Sequence, residues 1–229
     1  MNVGASGRPG RLALFDLDGT LLVGDTDALW CEFLLAEGQL DAGFAERNRE
    51  VAARYARGAI AAPEFCDFYA ATLAGRSPAA WLPSRDRFTA GTIAPRLAPG
   101  ARALVERHRE AGDRLVLTTA TSRFLAEPIA ALLGIDALVA TELGVADDGA
   151  FTGRTRDVLN MGAGKVARLG AWLADGGPGP AALADAVFYS DSINDLPLLS
   201  AVGEAVVVDP DPRLREAARE AGWRVVSLR

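Results

Sequence analysis

Short apolar runs recur along this chain, and a stretch with helical periodicity lies between most of them. The runs are LALF (12–15), RLVLTT (114–119), ALVAT (137–141), AVFYS (186–190), AVVV (205–208) and RVVS (224–227). At that length, and with that apolar content, they read as short buried strands. The segments PGARALVERHREAG (99–112), SRFLAEPIAALLG (122–134) and PDPRLREAAREAG (210–222) read as helices. In the last of these Asp211 stands at the N-cap, Pro212 at the first helical position and Gly222 at the C-cap. Strand and helix in alternation predict a doubly wound α/β fold, a parallel sheet with helices on both faces.

Residues 24–95 break that rhythm. TDALWCEFLLAEG, DAGFAERNREVAARYARG and PEFCDFYAATLAG read as successive helices with no strand between them, so the expected organisation is a core over 11–23 and 96–229 with an inserted helical cap over 24–95. Phe44, Val51 and Tyr55 share one face of the second helix, and its charged residues form a solvated face. GVADDGAFTG reads as a hairpin turn, DGGPGP (175–180) as a surface loop, and the small, glycine-rich residues 1–10 as a mobile tail.

The first strand runs into FDLDGT, where Asp16 and Asp18 interrupt an apolar stretch. Burying charge there is costly for a chain that needs only stability. Spaced by two in an extended segment, the two side chains point the same way, and they sit at the carboxyl end of a strand, where open parallel sheets bind ligands. A second acidic group, SDSIND, closes the strand AVFYS, with Asp191 at its end and Asn194 and Asp195 following. Carboxylates gathered without a cation would repel and be protonated, whereas a hard divalent ion, magnesium by preference, holds them ionised. Magnesium shares its shell with water and phosphate, Lys165 in NMGAGKV supplies a positive charge, and LTTATS places the Thr119 hydroxyl at another strand end. Together these are the parts of a phosphoryl-transfer site.

The 229 residues carry a net charge of -6, so there is no basic field to attract nucleic acid or an anionic membrane, and any bound anion must be held by local groups. Cys31 and Cys66 follow no metal or redox spacing, and no stretch has the order of a signal peptide or the roughly 20 apolar residues of a membrane span. The expectation is a cytoplasmic protein with free thiols, a monomer or homodimer. The single histidine, His108, lies at helical spacing among Leu104, Val105 and Ala111 and reads as a packing residue.

DLDGT, TTATS, GKV and SDSINDLPLL, in that order and spanning nearly the whole chain, resemble the four motifs of the haloacid dehalogenase superfamily phosphatases. The helical insertion after the first motif resembles the cap of the phosphoserine phosphatase-like and histidinol-phosphatase-like branch, subfamily IB. The resemblance implies that Asp16 attacks phosphorus to form an aspartyl phosphate and that Asp18 acts as general acid and then base. It implies that Asp16, the backbone carbonyl of Asp18 and Asp191 hold magnesium, with Asn194 and Asp195 supporting them. Thr119 is then a donor to a phosphoryl oxygen, and Lys165 neutralises phosphoryl charge and orients Asp16. A phosphosugar mutase shares the aspartyl phosphate and is a more distant alternative; a receiver-like domain has no need of Asp18 or of a cap.

The insertion selects the phosphate ester. In the branch resembled, an acidic residue after the first motif meets a substrate amine and a cap arginine meets its carboxylate. Asp25 matches the first, but EFCDFYAATL offers Glu64 and Asp67 where the arginine is expected. A substrate carboxylate would be repelled there. A cationic phosphate monoester without a carboxylate fits better, histidinol phosphate being the leading case, met by Asp25, Asp67 and the aromatics Trp30, Phe68 and Tyr69. Asp25 serving only as a helix cap and the aromatics only as core is the competing reading, and Arg54 or Arg57 swinging inward would restore phosphoserine as substrate.

Overall fold

The computed structural model describes residues 10–229, so nearly all of the expected tail over 1–10 lies outside the described residues. Its elements in chain order are β1 (Leu12–Phe15), α1 (Thr26–Ala36), α2 (Phe44–Ala56), α3 (Ala62–Ala70), α4 (Pro78–Phe88), α5 (Ala101–Glu110), β2 (Arg114–Ser122), α6 (Arg123–Leu133), β3 (Ala137–Val145), β4 (Phe151–Arg156), α7 (Ala163–Ala174), β5 (Val187–Ser190), α8 (Leu196–Leu199), β6 (Glu204–Val208), α9 (Pro212–Ala221) and β7 (Arg224–Val226). One sheet holds all seven strands in the order β4-β3-β2-β1-β5-β6-β7. Every neighbouring pair is parallel except β3 with β4, the hairpin read from GVADDGAFTG.

The doubly wound fold is seen most directly on β1. Ala13 and Phe15 join the apolar cluster on one face, with α5 and α6, while Leu12 and Leu14 join the other, with α7, α8 and α9. A strand whose side chains alternate between two buried faces must be apolar throughout, which is why LALF carries no polar position. His108 is buried on α5 and is held at Nδ1 by Asp113 (2.6 Å) and at Nε2 by the Tyr189 hydroxyl (2.8 Å). As expected from its spacing, it packs within the core.

Between β1 and β2 the elements are all helices among the described residues, with only isolated bridges of Leu22 to Asp18 and Leu97. Its ends run side by side, for the Val23 N–H donates to the Arg96 carbonyl (2.8 Å) and the Ala98 N–H to the Leu21 carbonyl (2.9 Å). Trp30 and Leu34 of α1 and Trp81 and Phe88 of α4 share the apolar cluster of β1 and α5, whereas Cys31, Phe44 and Tyr69 form a small cluster of their own. Two helices depart from the sequence reading. α4 was not anticipated, because Pro83 falls inside it and the Ser77 N-cap, which accepts from the Ala80 N–H, lies in a serine- and proline-rich stretch that resembles a loop. α7 was hidden by its opening glycines, MGAGK. No helix is long and apolar enough to cross a membrane among the described residues.

Candidate active site

The strand order places a chain reversal beside β1. From β1 the chain winds outward through β2 and β3, then crosses by α7 to β5 and winds the other way through β6 and β7. The loops leaving β1 and β5 therefore part at their carboxyl ends and open a crevice, the usual ligand site of such sheets. Asp16 is the first residue beyond β1 and Asp191 the first beyond β5. α7 starts at this same edge, which carries Lys165 of its first turn into the crevice.

The side chains converge closely. The Thr20 hydroxyl oxygen lies 2.9 Å from Asp191 Oδ1 and 3.3 Å from Asp16 Oδ2, so a single hydroxyl spans both carboxylates. Lys165 Nζ donates to Asp16 Oδ1 (2.9 Å) and Asp195 Oδ2 (2.8 Å), and Ser190 Oγ also donates to Asp195 Oδ2 (2.7 Å). Gly19 turns with φ +78°, and a Cβ there would stand 2.1 Å from Asp191 Oδ2, so only glycine lets the loop close over that carboxylate. Asp18 is engaged differently: Thr26 donates to its Oδ1 through both its N–H (2.7 Å) and its hydroxyl, and Thr121 donates to its Oδ2 (2.6 Å). Thr119 is buried on the cavity wall, where its Oγ1 accepts from the Thr121 N–H (3.1 Å).

Electrostatics follow from this crowding. Burial pushes Asp16 up to about 6 against the opposing pull of Lys165, and burial with the adjacent Asp16 pushes Asp191 up to about 8. Asp18 rises to about 7 through burial and the nearby Asp25, with Thr121 and Thr26 resisting. Burial disfavours the Lys165 ammonium, but Asp16 and Asp195 outweigh it and hold the proton above the ordinary lysine range. Among the described residues no three His, Cys, Asp or Glu side chains form a ready-made metal cluster. Asp16 and Asp191, two hard carboxylates bridged by one hydroxyl, are groups that would suit a magnesium ion sharing its shell with main-chain oxygen, substrate and water.

Asp16, Asp18, Thr119, Thr121, Lys165, Asp191 and Asp195 line a cavity of about 290 Å³ together with Asp25, Asp27, Phe65, Cys66, Ala120, Met161 and Asn194. Asp16, Asp18, Thr119, Lys165, Asp191, Asn194, Asp195 and Asp25 are therefore gathered in one place. Four expected substrate contacts, Asp67, Trp30, Phe68 and Tyr69, are not. Asp67 Oδ1 accepts from the Thr155 N–H and hydroxyl (both 2.7 Å), which ties α3 to β4. Trp30 is packed among Phe33, Trp81 and Phe88, and the Tyr69 hydroxyl donates to Asn48 (3.0 Å). Phe68 stacks on Phe44. Helical spacing carries these residues into packing contacts, Asp67 where α3 lies against β4, Phe68 and Tyr69 against α2, and Trp30 where α1 meets α4, which the sequence does not display. Conversely Thr20, Thr26 and Thr121 were missed. Thr20 stands in the quoted DGT and Thr121 in the quoted TTATS, two residues along the strand from Thr119, but nothing in the spacing singles out Thr26.

A family model described as haloacid dehalogenase-like hydrolase matches residues 13–200. The chain is 37% identical over 220 residues, 96% of its length and 99% of the relative's, to a histidinol-phosphatase of Neisseria meningitidis serogroup C. It is 33% identical to a phosphoserine phosphatase of Mycobacterium tuberculosis, over 95% of this chain and 70% of that one. Among solved structures, a Bordetella pertussis Tohama I protein of unknown function superposes with a TM-score of 0.90 at 39% identity, covering 97% of this chain and all (100%) of that one. A substrate-bound phosphoserine phosphatase shares the fold, with a TM-score of 0.66 at 21% identity over 91% of this chain and 90% of its own. With the four motifs meeting in one crevice and the family model spanning most of the sequence, the chain belongs to the haloacid dehalogenase-like hydrolases.

Proposed function

We propose that this protein is a magnesium-dependent phosphomonoesterase of the cytoplasm that works through an aspartyl phosphate on a small cationic ester without a carboxylate, histidinol phosphate being the best candidate. The observation that carries the substrate class is the charge of the cavity wall. Asp16, Asp18, Asp25, Asp27, Asp191 and Asp195 line it, and Lys165, already paired with two of them, is the cationic side chain there among the described residues. A substrate carboxylate would meet like charge with no partner. Arg54 pairs with Glu64 (3.4 Å), and neither it nor Arg57 lines the cavity.

In this reading Asp16, ionised beside Lys165, attacks phosphorus and forms the Asp16–phosphoryl bond as the ester oxygen departs. Asp18 protonates that oxygen and then takes a proton from the water that releases phosphate; burial raises its carboxyl above the ordinary range, the direction an acid working near neutral pH needs. Thr26 and Thr121 orient it, and Thr119 donates to a phosphoryl oxygen. Asp16, Asp191 and a main-chain oxygen at Asp18 would hold magnesium, which when bound supplies charge to offset the clustered carboxylates and the phosphoryl oxygens.

The resemblance to the Mycobacterium tuberculosis phosphoserine phosphatase favours the second reading, O-phosphoserine. Turnover of histidinol phosphate, O-phosphoserine and simple sugar phosphates by purified protein with magnesium separates the two. A clear preference for histidinol phosphate is expected; a preference for O-phosphoserine overturns the substrate assignment.

A further inference from the structure

Two carboxylates from the start of α1 reach the cavity, and they are not equivalent. Asp25 is the N-cap: its Oδ1 accepts the Ala28 N–H (2.8 Å), so its charge already serves the helix terminus. Asp27, two residues on, is half-buried and receives no hydrogen bond from the described residues. Burial, with Asp25 and Asp18 close by, disfavours its ionised form. A lone carboxylate in that position calls for a hydrogen-bond donor with positive charge.

A second observation points to the same spot. Adjoining the reaction cavity is a narrow recess of about 10 Å³, which shares Asp27, Cys66 and Ala120 with it. Trp30 and Ser122 line the recess, and Trp30 Nε1 and Ser122 Oγ are buried with no hydrogen-bond partner among the described residues, in residues 1% and 8% exposed. Unpartnered polar atoms of this kind are uncommon in a folded interior and mark a place built for a polar occupant. The recess has room for one water and none for a ring, so a substrate entering from the cavity stops at its rim, where Asp27 stands.

Resting on the function proposed above, we infer that Asp27, rather than Asp25, is the specificity-determining residue of this site. Its carboxylate takes the N–H-bearing far end of the substrate, an ammonium or imidazole, while a water in the recess satisfies Trp30 and Ser122.

The test measures kcat/KM for histidinol phosphate and for p-nitrophenyl phosphate, which has no N–H group, in the wild type, Asp27→Asn, Asp27→Ser and Asp25→Asn. The ratio of the two values is expected to fall about 10- to 100-fold in both Asp27 variants, the scale of one hydrogen bond to a charged group. Using a ratio removes any general loss of folded enzyme. A ratio within about 3-fold of wild type, or a larger fall in Asp25→Asn, overturns the inference while the proposed function stands. If the wild type does not hydrolyse histidinol phosphate, that function fails, and the inference is decided by L-histidinol as a competitive inhibitor of p-nitrophenyl phosphate turnover. Inhibition lost in the Asp27 variants upholds it, and inhibition independent of Asp27 or absent overturns it.

Discussion

Replacing Lys165 with methionine separates what this residue does for folding from what it does for chemistry. Lys165 is 2% exposed, and its ammonium contacts Asp16 and Asp195 at 2.9 and 2.8 Å. Removing one partner of a buried ion pair costs about 3–5 kcal/mol, because charge is left uncompensated. A chain of this size loses about 2–4 °C per kcal/mol, so the melting temperature is expected to fall by about 6–20 °C. The lower part of that range is the better expectation, since Asp16 can take up a proton and Ser190 still donates to Asp195. On the catalytic side, loss of a preorganised charge at the phosphoryl group lowers kcat/KM by at least ~100-fold. Lys165 also opposes the rise in the Asp16 pKa, so without it the nucleophile is ionised only at higher pH. The acid limb of the kcat/KM profile therefore moves upward. The assay is hydrolysis of p-nitrophenyl phosphate with saturating magnesium, well below the variant's melting temperature, across about pH 6 to 9. A variant with wild-type kcat/KM and an unmoved acid limb refutes the role given to Lys165; a lowered melting temperature alone assigns it to folding.

Asp16→Asn is expected to abolish turnover of every phosphate ester and to prevent phosphoryl label from being trapped on the protein; normal turnover rules out the covalent route. Gly19→Ala drives a Cβ against Asp191 in a positive-φ turn, so magnesium titrations should show loss of affinity with the rest of the fold retained; unchanged affinity contradicts the closeness of that loop to the metal donors. Asp16, Asp18 and Asp191 have folded pKa values raised to about 6, 7 and 8, so the metal-free fold binds more protons than the unfolded chain, and its stability falls as pH rises through that window. The thermal shift produced by magnesium is accordingly larger at about pH 8 than at about pH 5.5, and calorimetric scans giving equal shifts would count against carboxylate ligation.

Much of the fold was legible because periodicity reports burial. LALF, apolar at every position, announced a strand packed on both faces, and β1 is the central strand of a doubly wound sheet. The hairpin over 144–153 and the capped helix at Asp211 were equally plain, since their turn and cap residues act within a few positions of one another. α4 and α7 were less so: an internal proline and opening glycines mask helices that tertiary packing enforces.

For the site, the boundary between what the sequence determined and what only the tertiary structure decided follows the range of the interactions. Motifs at strand ends made Asp16, Asp18 and Asp191 visible, and the GKV motif opening α7 made Lys165 visible, because sheet topology sends strand ends and the helix starts beside them to one edge. Substrate contacts in the helical insertion depend on how α1 and α3 rotate against the sheet, which no local pattern encodes. That rotation turned Trp30 and Tyr69 into packing residues, bound Asp67 to Thr155, and brought Asp27 to the cavity from a position with no motif. Hydrophobic burial of the larger side chains outweighs any preference of one polar side chain, so the packing of the helices decides which residue of each turn meets the ligand.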